Sequence, residues 1–128
     1  MNQTALILGA SFGALSIVFG AFGAHALKKT LNATQLNSFE TGVKYQMYHA
    51  LALLIIGLHF DSNTLFMKLI IYCFAIGTFL FSFSIYGLVI SSAKNKKIKI
   101  LGPITPLGGL LLVIGWCLLI FHFIRMSA

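Results

Sequence analysis

The polar and apolar positions of this chain fall into blocks. Four stretches, residues 4–27, 45–60, 69–93 and 100–124, contain no Asp, Glu, Lys or Arg. They are 24, 16, 25 and 25 residues long and together hold 90 of the 128 positions. Three are long enough to cross about 30 Å of hydrocarbon as helix. The shortest gains length if Lys44 snorkels outward and the helix begins before it. The pattern predicts an all-α protein, an integral membrane four-helix bundle forming one transmembrane domain over residues 1–128. Its spans are placed near 4–27, 43–60, 66–92 and 105–125. Between the first two, Leu36, Phe39 and Val43 repeat at helical spacing, with Asn32, Thr34 and Ser38 as caps or a wet face. This segment reads as a short interfacial helix that runs into span two without a break.

Composition strengthens the membrane reading. Hydrophobic residues make up 59% of the chain and charged residues 9%, against about 25% charged in a soluble domain. That excludes soluble and disordered classes. The net charge of +7 is informative by position. Lys28, Lys29 and Lys44 flank the first connection, and Lys94, Lys96, Lys97 and Lys99 fill the third, leaving Lys68 and Arg125 for the opposite side. An excess of Lys and Arg marks the cytoplasmic side. Regions 28–44 and 94–99 are therefore expected in the cytoplasm, with both termini outside a multipass cell-membrane protein. The charge reads as an orientation signal that also attracts anionic lipid, and nucleic acid is not an expected partner. Membrane lipids are, and a homo-oligomer or a larger membrane complex stays open. The first span lacks a basic segment ahead of it and is longer than a signal-peptide core, so it reads as retained.

Within the spans, small and polar residues stand out. Span one interleaves Gly9, Gly13, Gly20 and Gly23 with Ala10, Ala14, Ala21 and Ala24. Close backbone approach drives helix association in lipid. Those four glycines are expected to pack helices, within the chain or against another copy, and to make span one the central packing element. Span three carries Thr78, Ser82, Ser84 and Tyr86, hydroxyls expected to bond within the helix or across to a neighbour. Thr105 before Pro106 reads as an N-cap and first-turn proline opening span four; an unwound cavity-lining stretch is the alternative. Trp116 falls near mid-bilayer, so its indole N–H needs a partner inside the bundle. Cys73 and Cys117 form no disulfide framework or metal motif.

Two acids and four histidines remain. Asp61 sits in the outer turn 61–64 and is expected to be solvated. Glu40 lies four residues before Lys44, as an interfacial ion pair or as a carboxylate that takes up a proton beside span two. At roughly 100° per residue, one face of span two collects Thr41, Tyr45, His49, Ala52, Ile56 and His59. His25 shares a depth with His49, and His59 with His122. Two such levels are what bis-His haem or a metal would require; no cofactor or metal is predicted, and haem stands as a distant alternative. Ionisable groups inside a membrane point to function by default. His25, Glu40, Tyr45, Gln46, Tyr48 and His49 are therefore the candidate ligand-binding cluster. No Ser-His-Asp, Cys-His or HExxH arrangement is present, so no catalytic residues are assigned and no enzyme is expected.

The segments GAFGAHAL (20–27), FETGVKYQMYHALALL (39–54), FSFSIY (81–86), ITPLGG (104–109) and GW (115–116) resemble a small membrane family. It is catalogued as domain of unknown function 423 in bacteria and is related to vertebrate transmembrane protein 256. The resemblance covers nearly the whole chain and implies a four-helix integral membrane fold without a settled activity. The family pattern tends to have Gly where this chain has Phe83. Gly20, Gly23, His25, Glu40, Tyr45, Gln46, Tyr48 and His49 match it. One functional expectation is a cytoplasm-side polar pocket that binds or moves a small amphiphile (a lipid or quinone headgroup) or a proton-coupled solute. The other is a structural accessory subunit of a larger membrane complex, a respiratory one among the possibilities.

Overall fold

Side chains at the helix starts set the first three elements of the fold. The computed structural model describes residues 1–61 and 64–128. Asn2 accepts a hydrogen bond from the Ala5 N–H and opens α1, Gln3–Ala24. A 3-10 turn, Leu27–Lys29, follows. Asn32 and Gln35 then form a reciprocal capping box that starts α2, Ala33–His59. The interfacial segment and the second span are thus one uninterrupted helix, as their spacing suggests. Thr64 caps α3, Leu65–Ala93, which contains a wide π-helical turn at Phe79–Phe83. Ser62 and Asn63, the middle of the expected turn 61–64, lie outside the described residues.

The fourth helix, α4, is Leu101–Ser127 and begins earlier than the sequence suggests. Thr105 is not its N-cap. It lies inside the helix, where its hydroxyl meets the Ser84 hydroxyl at 2.6 Å. Pro103 is tolerated because N–H groups in a first turn have no intrahelical partner to lose, whereas Pro106 lies inside the helix and leaves the Gly102 carbonyl without its i+4 donor.

The described residues thus form four long helices, running alternately up and down. α1 pairs along its length with α2, and α3 with α4; the two hairpins join along α2 and α3. Span one is therefore a flanking helix, and α2 and α3 occupy the centre. Small residues on α1 permit close approach to one neighbour, which is a different property from centrality. Gly9 is the tightest example: a methyl there would meet the Ala50 carbonyl oxygen at 2.8 Å and the Leu54 backbone at 3.1 Å. Gly23 is held similarly close to the Phe39 ring, at 3.0 Å. Gly13 and Gly20 are looser, with nearest atoms at 3.8 and 3.5 Å. On the other hairpin Gly108 lies against the α3 backbone at Gly77, Leu80 and Phe81, so α4 approaches most closely at the π turn.

The main core runs through Ala5, Phe12, Ala50, Leu53, Ile70, Phe74 and Leu112. A second cluster, Leu31, Phe39, Tyr86 and Val89, closes the end of the bundle that carries the lysine-rich connections. Both connections lie at that end, which is the basic end of the molecule. At the opposite end the Met1 ammonium sits 2.6 Å from Asp61, which is therefore paired rather than merely solvated. The hydrogen bond and charge of that ammonium hold the carboxyl below its ordinary range.

Among the described residues, three helical stretches are long and apolar enough to cross a membrane: Gln3–Lys29, Leu65–Ala93 and Leu101–Ser127. α2 matches them in length but carries Glu40, Lys44 and a polar inner face. Its position between α1 and α3 shields that face. The chain forms the all-α membrane helical bundle that the block pattern implies.

Candidate functional site

The buried polar groups of α2 are engaged with its neighbours. Gln46, fully buried, donates from Nε2 to the Phe12 carbonyl on α1 at 2.9 Å and accepts from the Tyr86 hydroxyl on α3 at 2.7 Å. One turn nearer the basic end, Ser16 donates to the Val43 carbonyl at 2.8 Å and Ser82 to the Gly42 carbonyl at 2.7 Å. α2 is thus clamped from both sides at adjacent carbonyls. Such carbonyls have two lone pairs and accept a second donor without leaving the helix ladder. Ser82 sits in the π turn, so the widened backbone presents the hydroxyl that makes this bond.

His49 is only 4% exposed. Its Nδ1 lies 2.7 Å from the Tyr45 carbonyl, and the Trp116 indole N–H donates to its Nε2 at 3.0 Å. These partners assign the neutral Nδ1–H tautomer. The rings of Tyr45, Phe74 and Trp116 stand around it at 6.5, 5.5 and 6.0 Å between centroids. Trp116 therefore has the partner its depth demanded, and both imidazole nitrogens are occupied. A metal or haem iron could reach His49 only by displacing the tryptophan.

The six candidate residues do not meet in one pocket. Gln46 and His49 face inward. Tyr45 and Tyr48 pack edge to face, 5.8 Å between ring centroids, on the outer face of α2, about half exposed. His25 ends α1 and is exposed. Glu40 is exposed too, and among the described residues it forms no ion pair with Lys44. Nor do the paired histidine levels converge. His59 bonds its own helix at the Ile55 carbonyl, while His122 packs among Phe60, Phe66 and Phe123. Among the described residues no group of three or more His, Cys, Asp or Glu is placed to hold a metal ion.

The structure instead opens a groove of about 420 Å³ between α2 and α3 at the basic end. Thr34, Gln35, Ser38 and Thr41 line it from α2. Ile85, Leu88, Val89 and Ser92 line it from α3, and Lys97 stands at its rim. It has an apolar floor, hydroxyls along one wall, and a cation. Thr34, Ser38 and Thr41 continue along α2 as Tyr45 and Tyr48, spaced i, i+4, i+7, i+11 and i+14, so one polar stripe runs from the groove toward mid-helix. The two tyrosines extend that face of α2 but do not line the groove.

A family model described as "Protein of unknown function (DUF423)" matches residues 19–109. The chain belongs to the DUF423 family. It is 41% identical over 115 residues to a UPF0382 membrane protein of Staphylococcus aureus (strain bovine RF122 / ET3-1), covering 90% of each chain. It is 37% identical to a counterpart in Staphylococcus saprophyticus, covering 90% of this chain and 92% of that one. To the UPF0382 inner membrane protein YgdD of Escherichia coli (strain K12) it is 34% identical over 95% of this chain and 90% of the relative. No solved structure matches. The DUF423 segment contains every residue lining the groove, whereas Trp116 lies beyond it.

Thr34, Gln35, Ser38, Thr41, Ser92 and Lys97 were not among the residues singled out for binding. The signal was present as hydroxyls at i, i+4 and i+7 on α2. It is ambiguous in sequence, because the wet face of an interfacial helix looks the same until α3 is laid beside it.

Proposed function

We propose that this membrane protein binds a small amphiphile with an anionic, hydrogen-bonding head in the groove between α2 and α3. The observation that carries the reading is the groove's composition: an apolar floor of Ile85, Leu88 and Val89 beneath Thr34, Ser38, Thr41 and Ser92, with Lys97 at the rim. Its size falls in the ordinary range for small-molecule sites, about 300–1,000 Å³. The head takes the hydroxyls and the ammonium, and the tail follows the face of α2 past Tyr45 and Tyr48. In this reading the basic end faces the cytoplasm and both termini face outward, which the seven lysines there support. The binding step needs no catalytic group.

A proton-coupled role loses support because Glu40 and His49 lie in different environments. An accessory-subunit role loses its sequence support at Gly9 and Gly23, whose close-packed faces are covered by α2 of the same chain. The test is thermal unfolding in mild detergent with phosphatidylglycerol, phosphatidylcholine or a quinone added. Phosphatidylglycerol is expected to raise the Tm, since a ligand that binds only the folded state stabilises it. Ser38→Leu and Lys97→Gln should each reduce the rise, leaving only the part contributed by lipid bound away from the groove. A rise undiminished by both substitutions contradicts the assignment.

A further inference from the structure

A second opening lies on the other side of the α2–α3 seam, toward α1, with a volume of about 340 Å³. Phe19 and Phe22 of α1, Leu27 of the 3-10 turn, Phe39 of α2, and Phe83 and Tyr86 of α3 wall it. The lining presents no polar atom to the space, because the Tyr86 hydroxyl is turned inward onto Gln46. The walls brace one another. Phe19 packs on Phe83 and Tyr86 at 5.8 and 5.0 Å between centroids, and Tyr86 on Phe39 at 4.9 Å. A cleft built this way is preformed hydrocarbon surface with nothing to offer a polar solute.

What fills it is indicated by the turn at its edge. Leu27 lines the cleft, and the next two residues of that turn are Lys28 and Lys29. Both are exposed, and neither forms an ion pair among the described residues. The cleft also lies at the basic end of the bundle. We infer that this cleft holds one anionic glycerophospholipid, its acyl chain between α1 and α3 and its phosphate at Lys28 and Lys29. The lipid fills the gap left where α1 pairs with α2 and leaves α3 open beside Phe22, and it couples the flanking helix to the centre of the bundle. An annular lipid, by contrast, meets a convex helix face and exchanges freely. Here three helices, the 3-10 turn and two cations fix the position. The site is separate from the groove at Lys97, which lies on the opposite face of the seam.

The experiment is native mass spectrometry of the full chain released from detergent containing equal phosphatidylglycerol and phosphatidylcholine. In the Lys97→Gln variant, whose groove no longer holds the lipid, one phosphatidylglycerol should be retained per chain at activation energies that strip phosphatidylcholine. Lys28→Gln with Lys29→Gln should lower the retained fraction at least fivefold. Phe22→Trp, which fills the cleft from its exposed rim without changing charge, should lower it to a similar extent. Lys94→Gln with Lys96→Gln, equal in charge removed, should leave it in place, as should Ser38→Leu in the groove. The inference is overturned if the two lipids are retained equally, if the Lys94 and Lys96 pair matters as much as Lys28 and Lys29, or if Phe22→Trp changes nothing while the circular dichroism of the variant stays native.

Discussion

The indole N–H of Trp116 donates to Nε2 of His49 at 3.0 Å, tying α4 to α2 across 67 residues of sequence. With Nδ1–H given to the Tyr45 carbonyl, the imidazole is neutral, oriented and fully partnered. Its burial is thus explained by structure, without a ligand.

His49→Phe keeps a ring among Tyr45, Phe74 and Trp116 but removes the acceptor. Trp116 is the chain's single tryptophan, so its signal reports this bond alone. The indole N–H band in ultraviolet resonance Raman should move to its unbonded position. Stability should fall by about 1–2 kcal/mol, the scale of a hydrogen bond between membrane helices. An unchanged band contradicts the assigned bond.

Gln46 joins three helices, so its loss should exceed that of an ordinary polar contact. Gln46→Leu leaves the Tyr86 hydroxyl without its acceptor inside the bundle, at a cost of about 1–3 kcal/mol. In a double-mutant cycle with Tyr86→Phe, steric trapping or detergent unfolding should return a coupling of about 0.6–1.7 kcal/mol. Additive effects would mean that the two side chains do not interact.

The first-span glycines separate by geometry. Gly9→Ala drives a methyl into the Ala50 carbonyl and the Leu54 backbone and should cost about 1–3 kcal/mol as overpacking. Gly13→Ala meets nothing nearer than 3.8 Å and should stay within about 0.5 kcal/mol of the parent. Gly108→Ala, pressed on the α3 backbone, should behave like Gly9→Ala, and Gly109→Ala, with Phe81 at 3.6 Å, like Gly13→Ala. Thermal denaturation of the four single variants checks the ranking.

Glu40 stands apart from the groove and forms no ion pair with Lys44. Glu40→Gln should change stability by no more than about 0.5 kcal/mol. The Tm rise given by phosphatidylglycerol should survive it. A lost rise would return Glu40 to the binding site.

The helices were legible from the charge-free blocks, because a membrane helix is specified by length and apolarity more than by any one residue. The α2 cap was legible at Asn32 for a similar reason, since a cap is local. Thr105 resembles a cap in sequence, but α4 begins at Leu101 and the Thr105 hydroxyl meets Ser84 on α3, a partner that local sequence cannot reveal. The site was harder still. Depth and helical phase put His25, Glu40 and His49 near one level, but phase on one helix does not say which neighbour covers which face. α1 covers the side of α2 near Val43 and Ala50, α3 covers the side of Gln46, and the hydroxyl stripe from Thr34 to Thr41 is left as the open wall. Of the polar residues most conspicuous in sequence, Gln46 and His49 became internal fastenings of the bundle while His25 and Glu40 stayed exposed, and plainer residues line the groove.

Photocrosslinking most directly tests whether the α2–α3 groove binds an anionic head. The full chain would be placed in vesicles with a phosphatidylglycerol analogue carrying a photoactivatable headgroup, and adducts mapped by peptide sequencing. Adducts concentrated in residues 34–41 and 85–97, and lost there in Lys97→Gln, are the predicted result, alongside any at Lys28 and Lys29. Adducts spread evenly over the lipid-facing residues of α4, with no depletion in Lys97→Gln, would contradict a binding groove between α2 and α3.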